Sequence, residues 1–514
     1  MKNFLVIGVG PHARLNHLPT LWAGRSAGLV GTVIGVDLAD AAGDIAAAFN
    51  SGTDTPELLV TFIEPFDASA RAVPAPVRET LDRLVREHAV GAVVISTEPS
   101  FHMAYTHWAL EHGLDVLLDK PMSVHANCSV DPSRASAILT DFDEVLSRYE
   151  TARRTRPELL VAVQCQRRHH PAFLRMRRLI AEVAEATNCP VTSVQSFHSD
   201  GQWRMPSELI DITYHSFDRG YGKCAHSGYH FFDIVPWLLR AGETPGKELD
   251  NVDIHANFSR PRDFLAQLDV DDYARLFPES EAANPYSHEQ LLAATESFGE
   301  VDAFVSMAYK SGGRTMTLGS INLVHNGFSQ RGRFRPALAN LYKGNGRVRH
   351  ESHIIEQGPF QAIHFHSLQT LGDDANAADP YEVGGQSHIE IHVFRNNTFE
   401  PRWKKYETLG YEALTTVSES GPEEPTQSAS RRRAMQEFLE YVNGRRAREH
   451  MSSELTDHRR SATLMAGTYL SAAQQWVDGS PVARLDFRPG SEGSTGADSC
   501  LGDPNVCDLM DVPL

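Results

Sequence analysis

The sequence predicts an α/β fold in two parts: an N-terminal, doubly wound parallel sheet covered by helices, then an α+β domain with an open, mostly antiparallel sheet. Three observations predict it. Short apolar strands alternate with helical stretches through the first 120 residues, a glycine-rich turn follows the first strand, and beyond Pro121 β-rich runs recur at long intervals. Residues 4–10 (FLVIGVG) read as a fully apolar strand leading into a helix at about 13–22. Further strands are expected at 32–37, 58–65 and 89–97, and a fifth in DVLLDKP after a helix at about 101–112. Residues 133–155 read as one helix, with Ile138, Phe142, Val145 and Tyr149 at helical spacing. The second half offers LLVAVQCQ, VTSVQSFH, VDAFVSMAY, TMTLGSINLV, QAIHFHSL and SHIEIHVF as strands, and helices near 431–442 and 461–476. The expected division is 1–130, 131–485 with charged insertions (the largest about 259–297), and a Gly, Ser and Asp tail, 486–514, expected to be disordered.

Composition narrows the function. Of 514 residues, 41% are hydrophobic and 22% charged, with a net charge of −18. Such an acidic chain lacks the clustered cations that displace phosphate counterions, so nucleic acid is not an expected partner. No apolar run approaches a membrane span, and the N-terminus reads straight into a strand, so the expected setting is cytoplasmic, away from membranes. Cys128, Cys165, Cys189, Cys224, Cys500 and Cys507 form no CxxC pair and are expected as reduced thiols.

The turn IGVGPHAR carries the first chemical signal. Gly8 permits a tight turn, Gly10 lets a pyrophosphate approach the backbone, and the small Ala13 lets the helix pack close to the strand. Amides at the helix start face the phosphates, and Arg14 joins this candidate cofactor site. Asp37, at the end of the second strand, is placed to accept both ribose hydroxyls and to repel a 2′-phosphate. NAD is therefore favoured over NADP.

With STEPSFHMAYTHWALEHGLDVLLDKP and QRRHHPAF downstream, the chain resembles the Gfo/Idh/MocA family, the glucose-fructose oxidoreductase and inositol dehydrogenase group. The motifs of this resemblance cover about residues 1–240. It implies a Rossmann domain joined to an α/β domain whose open sheet lines the substrate site and mediates dimers or tetramers. Lys120 of DKP stands at the family's Glu-Lys-Pro lysine, between nicotinamide and substrate, with Asp119 replacing the glutamate. Thr97 and His102 match the segment along the nicotinamide. His230 matches the family histidine that takes or orients the reacting hydroxyl proton, and His226 replaces an aspartate four residues earlier. The two histidines are expected to share base and orienting roles; no metal is expected.

Arg168 matches a family position near the substrate, where a guanidinium can contact substrate or the cofactor carboxamide or else form a structural ion pair. A polar, glycine-rich loop before the histidine pair, with Tyr214 and Lys223, is a candidate recognition element. The histidines of HFH and HIEIH read as sheet-face residues available to an oligomer contact. The expected activity is hydride transfer between NAD and a sugar, cyclitol or sugar-like metabolite. Two alternatives stay open: a glycoside hydrolase or lyase working by transient C3 oxidation, and a non-catalytic NAD or sugar-binding regulator.

Overall fold

The computed structural model describes residues 1–50, 58–67, 70–212, 215, 217–277, 286–331, 346–370, 379–418 and 421–488. The expected tail from residue 489 on, Cys500, Cys507 and the candidate Tyr214 lie outside the described residues, whereas Asp486 ends a strand and Phe487 is buried in the core, so the tail starts later than the expected 486.

The N-terminal part alternates β1 (Lys2–Ile7), α1 (Leu18–Ser26), β2 (Val30–Leu38), α2 (Ala42–Asn50), β3 (Leu59–Ile63), α3 (Ala75–Glu87), β4 (Val90–Ile95), α4 (His102–Glu111), β5 (Asp115–Leu118), α5 (Pro132–Thr155) and β6 (Val161–Val163). The strands form a parallel sheet in the order β3-β2-β1-β4-β5-β6. Chain order reverses between β1 and β4, which opens a crevice at the carboxyl ends of these strands, where such sheets bind ligands. β1 is central and covered on both faces, so Phe4, Leu5, Val6 and Ile7 are all buried. α5 starts where Asp131 accepts amides from Ser133 and Arg134, with Pro132 in the first turn.

Two corrections to the expected domain boundary follow. The strand in LLVAVQCQ pairs in parallel with β5 as the sixth strand of the first sheet, so that sheet extends past residue 130. In addition, a helix from the far end of the chain, α13 (below), covers one face of this sheet.

The second part runs α6 (Pro171–Thr187), β7 (Ser193–Ser199), α7 (Glu208–Asp211), α8 (Tyr229–Ala241), β8 (Asn251–Ser259), α9 (Pro261–Gln267), α10 (Val270–Leu276), α11 (His288–Ala294), β9 (Asp302–Ser311), β10 (Arg314–Val324), β11 (Val348–Gln357), β12 (Gln361–Thr370), β13 (Glu390–Arg395), β14 (Tyr406–Gly410), α12 (Tyr411–Leu414), the hairpin β15 (Thr416–Ser418) and β16 (Gly421–Glu423), α13 (Gln427–Val442), α14 (Arg459–Trp476) and β17 (Val482–Asp486). Its main sheet is open, in the order β14-β13-β12-β11-β7-β10-β9-β8-β17, antiparallel except for β7 against β10. Phe173 and Met176 of α6, Phe231 and Ile234 of α8 and Leu464 and Met465 of α14 pack with Val194, Ile321, Ile355 and Ile363 of the sheet in one core. The insertion forms its own small core, where Phe264, Leu265, Tyr273 and Leu291 meet Met205, Leu209 and Phe217.

α13 crosses back to the first part. Its Met435, Phe438 and Leu439 join Phe4, Val6, Val9, Ala13 and Leu21 in a second core, with Phe438 edge-on to Phe4 at 6.4 Å between ring centres.

Candidate active site

The crevice is built from four loops. At the end of β1, Gly8 has φ +89°, and a Cβ there would lie 2.3 Å from the Ser96 carbonyl, so the β1 and β4 turns touch. At Gly10 an added Cβ would meet nothing within 4 Å, leaving open space where a phosphate can approach. Ala13 is wholly buried and opens a π-turn, Ala13–His17, inside the helical segment that continues as α1. Asp37 accepts from the Val9 amide at 2.6 Å, so the carboxylate closes over the glycine turn from β2. Arg14 reaches toward the Asp44 carbonyl of α2 at 3.5 Å. The open cradle at Gly10, the turn amides and the Asp37 carboxylate fit a dinucleotide with free ribose hydroxyls.

The second wall comes from β4 and β5. His102 is buried, its ring bridging the carbonyl oxygens of Pro121 at 2.8 Å and Thr97 at 3.0 Å, so it ties the two loops together. The Lys120–Pro121 bond is cis. Asp119 bonds His17 at 3.0 Å and Ser96 at 2.6 Å. Burial opposes its ionisation, but His17, His12 and those hydrogen bonds hold the carboxyl well below the usual carboxylate range.

Lys120 donates through Nζ to the backbone carbonyl of His226. Burial pushes its ammonium down to about 8, against the pull of Asp119; Arg431 and Arg167 push in the same direction as burial. His226 lies in a π-turn, Cys224–Gly228, that leads into α8, with its ring 4.6 Å from that of His215. His230 follows on the first turn of α8, is buried, and keeps Nδ1 without a hydrogen-bond partner among the described residues. Burial, with Arg167, Lys120 and Arg431 nearby, holds its imidazole well below the ordinary histidine value. The crevice thus brings together an ammonium that titrates near neutrality and a neutral imidazole, a pair able to bind a hydroxyl, stabilise its alkoxide and accept its proton.

Two residues expected at the substrate lie elsewhere. Arg168 is buried and forks onto Asp233, with Ser461 and His458 completing that carboxylate's shell, so it is held in an internal ion pair. Lys223 is wholly buried, its Nζ bound to Asp200 at 2.5 Å, His198 at 2.9 Å and Ser227 at 2.9 Å. It braces the π-turn that carries His226. The neighbour of Arg168, Arg167, pairs with Glu351 and lies close enough to lower both Lys120 and His230, and nothing in QRRHH distinguishes the two in advance. Among the described residues, the clusters with metal-ligand geometry are His12, His17, Asp119 and Cys165, Asp233, His458; His226 and His230 belong to neither.

Fold and site together define an NAD-binding oxidoreductase. Residues 2–131 match the Gfo/Idh/MocA family model, described as oxidoreductase family, NAD-binding Rossmann fold. The chain's cofactor is NAD. No curated protein matches the chain. Solved structures share the architecture. Levoglucosan dehydrogenase in complex with NADH and levoglucosan aligns at TM-score 0.54 and 12% identity, over 95% of this chain and 99% of that one. An oxidoreductase from Agrobacterium radiobacter in complex with NAD+, L-tartaric acid and magnesium aligns at 0.52 and 12%, over 95% and 98%. An oxidoreductase from Pseudomonas syringae aligns at 0.50 and 11%, over 95% and 99%. At these identities the likeness is one of fold. Among the described residues no helix is long and apolar enough to cross a membrane.

Proposed function

We propose that the chain is an NAD-dependent dehydrogenase acting at a secondary hydroxyl of a sugar, cyclitol or sugar-like metabolite. The observation that carries this reading is the Lys120 ammonium at the mouth of β5, bonded to the carbonyl of His226 one helical turn before His230. NAD+, when bound, accepts a hydride at the nicotinamide. Lys120 holds the reacting hydroxyl and stabilises the negative charge that develops on its oxygen. His230 takes the hydroxyl proton, its neutral ring kept ready by burial and neighbouring cations. His226 supports the lysine through its carbonyl and packs the site with its ring. Gly8, Gly10, Ala13, Arg14 and Asp37 hold the dinucleotide, while Thr97 and His102 shape the nicotinamide side.

The working protein is proposed to be a homo-oligomer. Phe304, Leu318, Phe394 and Tyr406 lie exposed on the outer face of the large sheet, beside His364, His366 and His392. Sedimentation equilibrium yielding a monomer at micromolar concentration would refute this.

The test is NADH formation across a panel of sugars and inositols, levoglucosan included. Lys120→Ala is expected to lower kcat by about 100-fold or more, the scale of losing a charge-stabilising donor, with NAD affinity little changed. Full turnover by this variant would end the mechanism. Glycoside cleavage without net NADH would favour the elimination chemistry, and NAD binding without any turnover would favour a regulator.

A further inference from the structure

The crevice carries more positive charge than a neutral polyol and NAD+ require. Arg167 uses Nε and Nη2 on Glu351, at 2.7 and 2.5 Å, and its guanidinium lies 4.7 Å over the Phe231 ring, yet buried Nη1 has no hydrogen-bond partner among the described residues. Two positions before Glu351, on the same face of β11, Arg349 donates to the side-chain amides of Gln427, at 2.9 Å, and Gln369. Gln427 opens α13, and Arg431 follows one turn later, its Nε 3.3 Å from the Gln166 amide oxygen, beside Arg167 in the chain. Hydrogen bonds join Arg167 to Glu351, Arg349 to Gln427 and Arg431 to Gln166, and shared positions on β11 and α13 bring these pairs together. Lys120 and His230 lie beside them, close enough for Arg167 and Arg431 to depress both.

Among the described residues, the carboxylates beside these pairs are already engaged. Glu351 is shared by Arg167 and His353, Asp119 is held by His17 and Ser96, and Asp200 is held by Lys223 and Arg347. Arg349 donates to neutral amides and Lys120 to a backbone carbonyl. Burial and Arg347 push the Arg349 guanidinium down to about 9. Arg349 and Lys120, kept this close to Arg167 with only neutral hydrogen-bond acceptors among the described residues, are costly unless an anion joins them.

We propose that the substrate is itself an anion: a polyol bearing a carboxylate or phosphate group, which Arg167, Arg349 and Arg431 hold while its hydroxyl meets Lys120 and His230. This deepens the dehydrogenase reading and rests on it for the reaction, though not for the binding. Planar arginine forks suit both kinds of oxyanion, and the Arg167 Nη1 donor supplies the unpaired bond.

The experiment compares D-glucose and myo-inositol with D-glucuronate, D-gluconate and D-glucose 6-phosphate. NADH formation and calorimetric binding to NAD+-loaded protein are both measured, for wild type, Arg349→Gln and Arg349→Lys. Anionic compounds are expected to bind and react better than the neutral ones by about 10- to 100-fold, the scale of one charge-assisted hydrogen bond. Arg349→Gln should raise KM for the anion with little change in kcat, and Arg349→Lys should recover part of the loss. Preference for the acids or for the phosphate ester identifies which anionic group is read. Equal use of neutral and anionic polyols by wild type overturns the proposal while the dehydrogenase reading survives, whether or not the variants fold. Arg349-dependent anion binding without NADH supports the anion site and overturns the dehydrogenase. No binding and no turnover of any compound overturns both.

Discussion

Lys120 is where the chemistry is most exposed to pH. An ammonium that loses its proton near pH 8 can stabilise an alkoxide only below that value, so kcat/KM for alcohol oxidation is expected to fall as pH rises through about 8. Lys120→Arg keeps the charge at higher pH; in that variant the falling limb should disappear from the profile even if the maximal rate drops. A limb unchanged in the variant would show that another group sets it. Lys120 and His230, the proposed reacting pair, each sit in a short local motif and so could be singled out in advance. Arg349 and Arg431 were not: they reach the site from β11 and α13, more than 100 residues beyond His230, and no local spacing announces that meeting. Arg168 and Lys223 misled for a related reason, since a cation in a polar sequence looks the same whether it meets substrate or a buried aspartate.

At the scale of elements, the β1 turn and α13 bear the most weight. Gly8→Ala forces a Cβ against the Ser96 carbonyl at a positive φ; it is expected to cost about 1–3 kcal/mol and to weaken NAD binding, read by thermal melting and cofactor titration. Phe438→Ala removes the ring that α13 sets against Phe4. A loss of about 3–5 kcal/mol in denaturant unfolding is expected, together with a raised substrate KM because Arg431 rides on the same helix. An unchanged KM in the folded variant would separate α13 from the site. The apolar strands of the first sheet and the amphipathic helices could be read in advance because their periods are plain. β11 could not: it turns Arg349, Glu351 and His353 inward, so polar residues occupy the positions where alternation predicts apolar ones. β6 was visible as a strand, but a short apolar run does not state which sheet it joins.

Across the whole molecule, many histidines and carboxylates lie in the interior. Burial lowers His169 and His170 to about 4 and His325 to about 3, in each case below the unfolded value near 6.5. Between those values the unfolded chain binds protons that the native chain refuses, so stability is full above about pH 6.5 and is lost as pH falls toward 4. Burial also opposes ionisation of Glu351 and Asp233, but Arg167 and Arg168 hold both below the ordinary carboxylate range, so their contribution persists until the solution is more acidic still. Urea midpoints measured from pH 7.5 to 4 should decline throughout the histidine window; a flat profile there would mean these rings are protonated in the native state.

The return of α13 to the first sheet also has a consequence for synthesis. The ribosome emits β1 more than 400 residues before α13, yet the apolar face formed by Phe4, Val6, Ala13 and Leu21 receives its cover only after Phe438 and Leu439 have left the exit tunnel. Between those two events that face is open to water, and a nascent chain arrested after β1 and before residue 427 presents a sticky sheet surface to chaperones and to its neighbours on the same messenger.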